Sequence, residues 1–157
     1  MSDDETEQRC GPHSVGRLLA HIHKRTRRYM STRLAHYGIG GPTYGFLFHL
    51  YKKDGISESE ITRHMLVDKA TTTRALSKLE KLGYVERHQD PQDRRVYKVF
   101  LTSKARSIEP DLDKIREEWV HLVLGDFDAS ERRLFLDNLN RIEGRLRTFS
   151  GSMGCEE

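Results

Sequence analysis

The sequence predicts a mainly α-helical fold with one small β-hairpin, and three observations support this prediction. Apolar residues recur at steps of three and four along most of the chain, which is the period of an amphipathic helix. The period changes in residues 84–101, where two predicted strands flank a turn, and Tyr97, Val99 and Leu101 alternate with Lys98 and Phe100. The 157 residues are 36% hydrophobic and 32% charged. This composition suits one domain that is elongated or hides part of its core in an oligomer.

Two helices are predicted in the first third of the chain. An apolar stripe runs from Val15 to Tyr37 and indicates a helix over about 14–37, which the following glycines end. Pro42 suits the first position of a second helix that runs to about Lys53. The second helix is apolar almost all round, so we expect it to be central in the fold.

Two shorter helices follow, and their boundaries are marked by capping residues. Ser57 precedes Glu60 by three residues, the spacing of a capping box, which predicts a helix over about 57–65. Asp68 can cap the next helix, and Gly83 can end it. Two short helices joined by about three residues are typical of a helix-turn-helix motif.

A hairpin comes directly after this motif, with predicted strands at 84–89 and 96–101. The connecting residues 90–95 form a turn that ends in two exposed arginines. A helix-turn-helix followed by such a hairpin is a winged helix-turn-helix, so the fold class is a winged helix-turn-helix with helices on either side.

Two further helices are predicted in the last third of the chain. Thr102 can cap the first of them, and Pro110 is expected to bend or interrupt it. Asp128 and Glu131 repeat the capping pattern before the last helix, which runs to about residue 149. The apolar stripes of these two helices and of the first helix have heptad spacing and exceed what one small domain can cover. They favour a two-fold dimer, and packing within one chain is the alternative.

Charge is segregated along the chain. Residues 11–37 carry six bases and no acid, and residues 63–106 carry eleven bases and five acids, whereas residues 1–10 and 107–157 are net acidic. A basic centre between acidic ends suggests a polyanion as partner, although a set of solvated helix faces would look the same by charge alone.

The second helix of the motif carries hydroxyl and basic side chains away from its apolar stripe. Such side chains suit base edges and phosphates in the major groove, and the wing can add contacts to the backbone or the minor groove. The predicted contacts to double-stranded DNA are Lys69, Thr71, Thr73, Arg74, Ser77, Lys78, Arg94, Arg95 and Lys98.

Residues 57–105 resemble the MarR family, the multiple antibiotic resistance regulators. The resemblance rests on Leu-Glu-Lys-Leu-Gly-Tyr-Val at 79–85, on Asp-Arg-Arg at 93–95, and on Leu-Thr at 101–102. The family usually has Gly where this chain has Ala105, at the start of a helix. Ala is a good helix former, so this departure weakens the resemblance little.

The resemblance implies a homodimeric transcriptional regulator, acting as a repressor on a near-palindromic site. One unit over 13–150 would hold the winged part at about 38–104 and dimerisation helices at 13–37 and 105–150. Residues 1–12 and 151–157 are expected to be disordered tails. The resemblance also implies that Arg95 enters the minor groove, that Asp93 orients its guanidinium, and that Arg94 meets phosphate.

Some members of the family are released from DNA by small aromatic acids or phenols. The resemblance places a corresponding pocket between the dimer region and the winged part. Its candidate residues, which equally suit the protein core, are Arg17, His21, Tyr37, Tyr44, Phe48 and Arg87. Other members sense oxidants through a cysteine, but Cys10 lies too far upstream for that position, and an intersubunit disulfide between Cys10 and Cys155 is the weaker reading.

Several other classes of protein are excluded or disfavoured. The chain has no glycine-rich phosphate loop, no Gly-x-Ser-x-Gly and no paired-histidine metal helix, so no enzyme, cofactor or metal site is predicted. No apolar run approaches membrane-spanning length, and two cysteines near the termini suit a reducing cytoplasm. The alternative function is a winged helix that contacts proteins, or binds DNA non-specifically, without responding to an effector.

Overall fold

The computed structural model describes the backbone of residues 12–152 and the side chains of residues 14–148. The chain divides into two compact units, residues 1–115 and 116–157, which are described separately here. Most of the two predicted tails, including Cys10 and Cys155, lies outside the described residues. In chain order the elements are α1 (Pro12–Arg33), α2 (Thr43–Lys52), β1 (Ile56–Ser57), α3 (Glu58–Met65), α4 (Lys69–Lys81), β2 (Val85–Gln89), β3 (Tyr97–Leu101), α5 (Ser103–Leu124) and α6 (Ala129–Ser152).

The first helix ends earlier than the sequence predicts. The α-helix stops at Arg33, and a single 3-10 turn over Ala35–Tyr37 replaces the last predicted turn. Gly38 follows in the left-handed region, with a φ of 71°. Leu34 is fully buried at this point, so the tighter turn fixes a core residue where the chain changes direction.

The helix-turn-helix forms as predicted, with both caps in place. Ser57 accepts a hydrogen bond from the backbone N–H of Glu60 at 3.2 Å, and the Glu60 carboxylate accepts one from the backbone N–H of Ser57. Asp68 caps α4 by accepting a hydrogen bond from the N–H of Thr71 at 2.7 Å. Gly83 ends this region with a φ of 75°. Among the described residues, Leu66 in the turn between α3 and α4 is the one non-glycine residue with positive φ.

The predicted hairpin is part of a three-stranded antiparallel sheet in the order β1-β3-β2. β2 and β3 pair in the register Val85 with Leu101. The third strand, β1, pairs Ile56 with Val99 and was not predicted. Two residues are too short to show alternation, and Ser57 serves at the same time as the cap of α3.

The core of the first unit lies between the helix-turn-helix and the sheet. α4 packs against α2 and α3, and α2 also contacts β3. The central position expected for α2 is confirmed, since Phe46, Leu47 and Leu50 are fully buried. Further fully buried side chains come from the neighbouring elements: Leu34, Ile39, Ile61, Leu76, Leu79, Val99 and Leu112.

α5 begins in the first unit and continues without interruption through Pro110, so an interruption there was the wrong expectation. In the second unit, Asp128 and Glu131 form the predicted reciprocal cap of α6, with the Asp128 N–H 2.8 Å from the Glu131 carboxylate. Phe127 and Phe135 meet edge to face at 5.7 Å. Several apolar side chains of α6 are exposed, namely Leu134, Leu136, Leu139, Ile142 and Leu146.

Candidate nucleic-acid interface

Helix α4 has one buried face and one polar face. Thr72, Ala75, Leu76 and Leu79 form the buried face and are at most 5% exposed. This stripe holds the helix against α2 and α3 and leaves its other side to solvent. The polar side therefore has a fixed position on the surface of the unit.

The six predicted contact residues of α4 all lie outside this buried face. Lys69, Thr73, Arg74 and Lys78 are exposed, whereas Thr71 and Ser77 are half-buried. The described residues include no carboxylate within ion-pair distance of these lysines or of Arg74. The face therefore presents hydroxyl groups and three cations, Lys69, Arg74 and Lys78, that form no direct ion pair within the described residues.

A short chain of hydrogen bonds holds Arg74 at the start of α4. Its guanidinium donates to the Thr71 hydroxyl at 3.1 Å, and that hydroxyl donates to the Asp68 carboxylate at 2.7 Å. The Thr71 hydroxyl and backbone N–H hold the pKa of Asp68 below its ordinary value. Asp68 is thus ionised at neutral pH, and it orients the hydroxyl that supports the arginine.

The wing tip is shaped by two aspartates that bond to the backbone. Asp90 accepts from the N–H of Gln92, and Asp93 accepts from the N–H of Arg95, both at 2.9 Å. These Asx turns fix the loop between β2 and β3 and leave Arg94 and Arg95 exposed.

The wing differs from the expected arrangement at Asp93 and Lys98. No ion pair joins the Asp93 carboxylate to the Arg95 guanidinium among the described residues; the Asp93 Oδ1 atom instead accepts a hydrogen bond from the backbone N–H of Arg95. The Lys98 ammonium lies 2.8 Å from the Asp90 carboxylate, and this hydrogen bond raises the pKa of Lys98. Lys98 is therefore a paired cation, unlike Arg94 and Arg95.

Arg87 has a structural role that the sequence analysis missed. It lies on the inner face of β2, its side chain is 20% exposed, and it forms ion pairs with Glu80 of α4 and Glu58 of α3. Its Nε is 2.7 Å from Glu58, although the N–H does not point at the oxygen. The sequence predicts Arg87 as an effector contact. In the structure, its ion pairs connect the wing to both helices of the motif.

The other predicted effector residues lie in different surroundings. Arg17 and His21 are exposed on α1. The Tyr37 hydroxyl donates to the Asp111 carboxylate at 2.7 Å, and this bond raises the pKa of Tyr37. The phenol of Tyr37 is therefore engaged with α5.

Tyr44 and Phe48 are the predicted pair that the structure does bring together. Their rings meet edge to face at 5.9 Å on α2, and burial raises the pKa of Tyr44. They are half-buried, as residues at the edge of a core are, and this contact alone does not define a ligand site.

The described residues contain neither a metal-ligand cluster nor a membrane-spanning helix. No group of three or more His, Cys, Asp or Glu side chains there is placed to hold a metal ion. None of the helices in that part of the chain is long and apolar enough to span a bilayer.

Known proteins resemble this chain in sequence and in fold. The MarR family model matches residues 42–97. The HTH-type transcriptional regulator TtmR of Methylorubrum extorquens is 35% identical over 137 residues, which cover 86% of this chain and 68% of TtmR.

Solved structures agree with this match. A MarR transcriptional regulator from Methanosarcina mazei is 36% identical, with a TM-score of 0.81 over 85% of this chain and 97% of that one. FabT of Streptococcus pneumoniae, solved in complex with DNA, has the same fold at 22% identity, with a TM-score of 0.73 over 88% of this chain and 99% of FabT. The motif, wing and flanking helices thus agree with the relatives over most of the chain, and the chain belongs to the MarR family of DNA-binding transcriptional regulators, which are not enzymes.

Proposed function

We propose that this regulator is a homodimeric repressor that binds a near-palindromic site in double-stranded DNA. The observation that carries the proposal is the polar face of α4, whose cations form no ion pair within the described residues, beside a wing tip where Arg94 and Arg95 form none in that part of the chain either. The DNA complex of FabT, which shares the fold, supports this use of the winged unit. Repression, as the direction of regulation, rests on the family resemblance.

In this proposal α4 enters the major groove and Arg74 reads a base. The N-terminal residues of a recognition helix contact base edges, and Arg74 lies in the second turn of α4. A guanidinium can form two hydrogen bonds to the O6 and N7 atoms of guanine. The support from Thr71 and Asp68 reduces the freedom that Arg74 would lose on binding. Lys69, Thr73, Ser77 and Lys78 supply further contacts.

The wing is proposed to contact DNA next to the major-groove site. Arg95 inserts into the minor groove, where narrow A·T-rich segments attract arginine, and Arg94 meets phosphate. Asp93 contributes by fixing the backbone at Arg95, as it does in this structure, and by orienting the Arg95 guanidinium once DNA is bound. Lys98 would contact a phosphate only after its ion pair with Asp90 breaks.

The dimer is proposed from apolar side chains that the chain leaves uncovered. Val15, Leu18, Leu19 and Ile22 of α1 are 43–53% exposed, and α6 exposes a similar stripe. A second copy would cover these stripes and place two recognition helices about one DNA turn apart, which calls for a near-palindrome.

Binding-site selection from a random pool of duplexes tests this proposal. We expect the full-length protein to enrich one near-palindromic sequence and to sediment at about twice the chain mass of 18.3 kDa. Arg74→Ala should lose about 1–3 kcal/mol of affinity for that site and relax preference at an inner base pair. An equal loss on every sequence would make Arg74 a phosphate anchor and not a reader.

The same selection separates the two roles of Asp93. Arg95→Ala should relax preference in the flanks, outside the base pairs that α4 reads. Asp93→Asn keeps an acceptor for the Arg95 backbone N–H but removes the charge, whereas Asp93→Ala removes both. If Asp93→Asn preserves the flank preference and Asp93→Ala does not, the residue acts through the turn and the orienting role is wrong.

Release by a small aromatic effector stays a prediction with less support. Of its six candidate residues, Arg87 is engaged by carboxylates and Tyr37 by Asp111, which leaves Arg17, His21, Tyr44 and Phe48. Titration of the DNA complex with salicylate tests it: dissociation that Tyr44→Ala abolishes would support a ligand site near α2.

A further inference from the structure

Helix α1 carries a dense cluster of basic side chains that the proposed DNA contacts do not use. Arg17, His21, Lys24 and Arg28 follow one another at steps of four, three and four, so they share one face of the helix. Arg27 flanks this row, and all five side chains are exposed. We call these five residues the α1 basic face.

This face lacks acidic partners. Residues 11–37 contain no acid at all, and within the described chain no carboxylate lies within 4.0 Å of Arg17, Lys24, Arg27 or Arg28. Elsewhere in the first unit, Lys53, Arg87, Lys98 and Arg106 each pair with a carboxylate. Like charges three and four residues apart destabilise a helix, so the α1 basic face is unfavourable for an isolated chain.

The part of the α1 basic face that carries Lys24 and Arg27 lies on the side of the helix opposite the exposed apolar stripe. Ile22 and Lys24 are two residues apart, which separates them by about 200° around the helix axis. A second copy that covers Leu18 and Ile22 would therefore leave the cations in solvent. Burial in a dimer accordingly does not explain the cluster.

The shape of the face fits an extended anion better than a small one. Lys24, Arg27 and Arg28, with His23 and Ser31, line an open groove of about 290 Å³. From Arg17 to Arg28 this row of basic side chains spans about 17 Å along the helix. Phosphates of one DNA strand follow each other at about 3.4 Å along the duplex axis, so the row matches several consecutive phosphates.

We infer that the α1 basic face binds the phosphodiester backbone of the same DNA duplex that α4 and the wing bind. This inference rests on the proposed function and adds a third, sequence-independent contact surface to it. The α1 basic face raises affinity and steers association, and it leaves base preference to Arg74 and Arg95.

The test is the salt dependence of binding to the selected duplex. A triple variant, Lys24→Gln, Arg27→Gln and Arg28→Gln, removes three cations from each chain. Each lost phosphate contact should flatten the plot of log affinity against log salt by about 0.9, so we expect a loss of about 2–3 per chain. The base preference found by site selection should not change.

Two controls make the result specific. Lys52→Gln, Lys114→Gln and Arg133→Gln remove the same charge from exposed positions on three other helices, and this variant should keep the wild-type slope. Arg27→Lys with Arg28→Lys keeps the charge and should keep the slope as well. Circular dichroism and sedimentation check that every variant is folded and has the wild-type mass.

Three results would overturn the inference. An unchanged slope in the triple variant means that the α1 basic face does not meet phosphate, and a small effector or an acidic protein segment would then be its ligand. An equal loss in the charge-matched control means that only net charge matters. A changed base preference would make α1 part of the reading surface. Failure of the wild-type protein to select any DNA site would instead refute the proposed function itself.

Discussion

α1 and α4 are both amphipathic helices with a basic side, but they differ in what covers their apolar side. On α4 the apolar stripe is at most 5% exposed, because α2 and α3 pack against it. On α1 the stripe is buried near its C-terminal end, at Met30, whereas Leu18 and Ile22 are more than half exposed. The same sequence period thus predicts a helix in both places, but burial within one chain in only one of them.

The difference separates two sources of stability. α4 is held by its own chain, with a cap at Asp68, a glycine stop at Gly83 and the ion pair of Glu80 with Arg87. The N-terminal half of α1 lacks comparable burial among the described residues, and we expect a second copy to supply it. If this is correct, charge placed on the α1 stripe should act on assembly and leave the fold of the winged unit intact.

The largest expected effect is that of Ile22→Glu. A carboxylate at the centre of the exposed stripe would be buried without a partner in the dimer, so the dimer should dissociate. Affinity for the palindromic site should fall about 100-fold or more, because two linked recognition helices become independent. Sedimentation and a DNA titration measure the two effects.

Ala20→Glu is the matched control for this variant. It places the same charge on an exposed position of α1 outside the apolar stripe, and it should leave the sedimenting mass unchanged. A dimer that survives Ile22→Glu would show that the α1 stripe is not the interface.

A second comparison sets Leu76 of α4 against Leu19 of α1. Leu76→Ala removes a fully buried side chain and should lower the free energy of unfolding by about 2–5 kcal/mol at every protein concentration. Leu19→Ala should weaken the dimer, so its effect on the apparent free energy of unfolding should depend on protein concentration. Denaturant unfolding over a hundredfold range of concentration distinguishes them. A loss for Leu19→Ala that is independent of concentration would mean that α1 packs within its own chain.

Local features of the fold could be predicted from sequence because their partners lie within a few residues. The capping box of Ser57 and Glu60, the cap at Asp68 and the stop at Gly83 each depend on neighbouring positions. The order and spacing of helices and hairpin were enough to predict the winged helix-turn-helix and the polar face of α4.

Features that depend on distant partners could not be predicted. Arg87 meets Glu58 across 29 positions of sequence, and no periodicity marks that pairing. The role of Asp93 could not be predicted either, although its partner is only two residues away. An aspartate at this spacing can accept a hydrogen bond from the backbone N–H of Arg95 or from its guanidinium, and the sequence does not distinguish the two. Strand β1 was not predicted because Ser57, one of its two residues, was already interpreted as a helix cap.

The smallest expected effect is a change of stability with pH at the contact between α2 and α3, the two helices that pack against α4. His49 on α2 and His64 on α3 have ring nitrogens 3.2 Å apart, a distance at which one must donate and the other accept. Burial lowers the pKa of His49 from 6.5, and the nearby positive charges of His64, Lys52 and Lys53 lower it further.

The sign of the pH effect follows from this shift. Below about pH 6.5 the unfolded chain binds a proton at His49 before the folded protein does, so acid favours unfolding. The free energy of unfolding should be constant above about pH 7.5. It should decrease as the pH falls through 6.5, and the decrease should end below the lowered pKa of the folded state. We expect a total change smaller than about 1 kcal/mol because His49 is only partly buried.

In His49→Gln, which keeps a hydrogen-bonding group but does not titrate, this part of the pH dependence should disappear. An identical dependence in wild type and His49→Gln, measured by urea unfolding between pH 5 and 8, would show that acid acts elsewhere and that the contact between α2 and α3 does not sense protons.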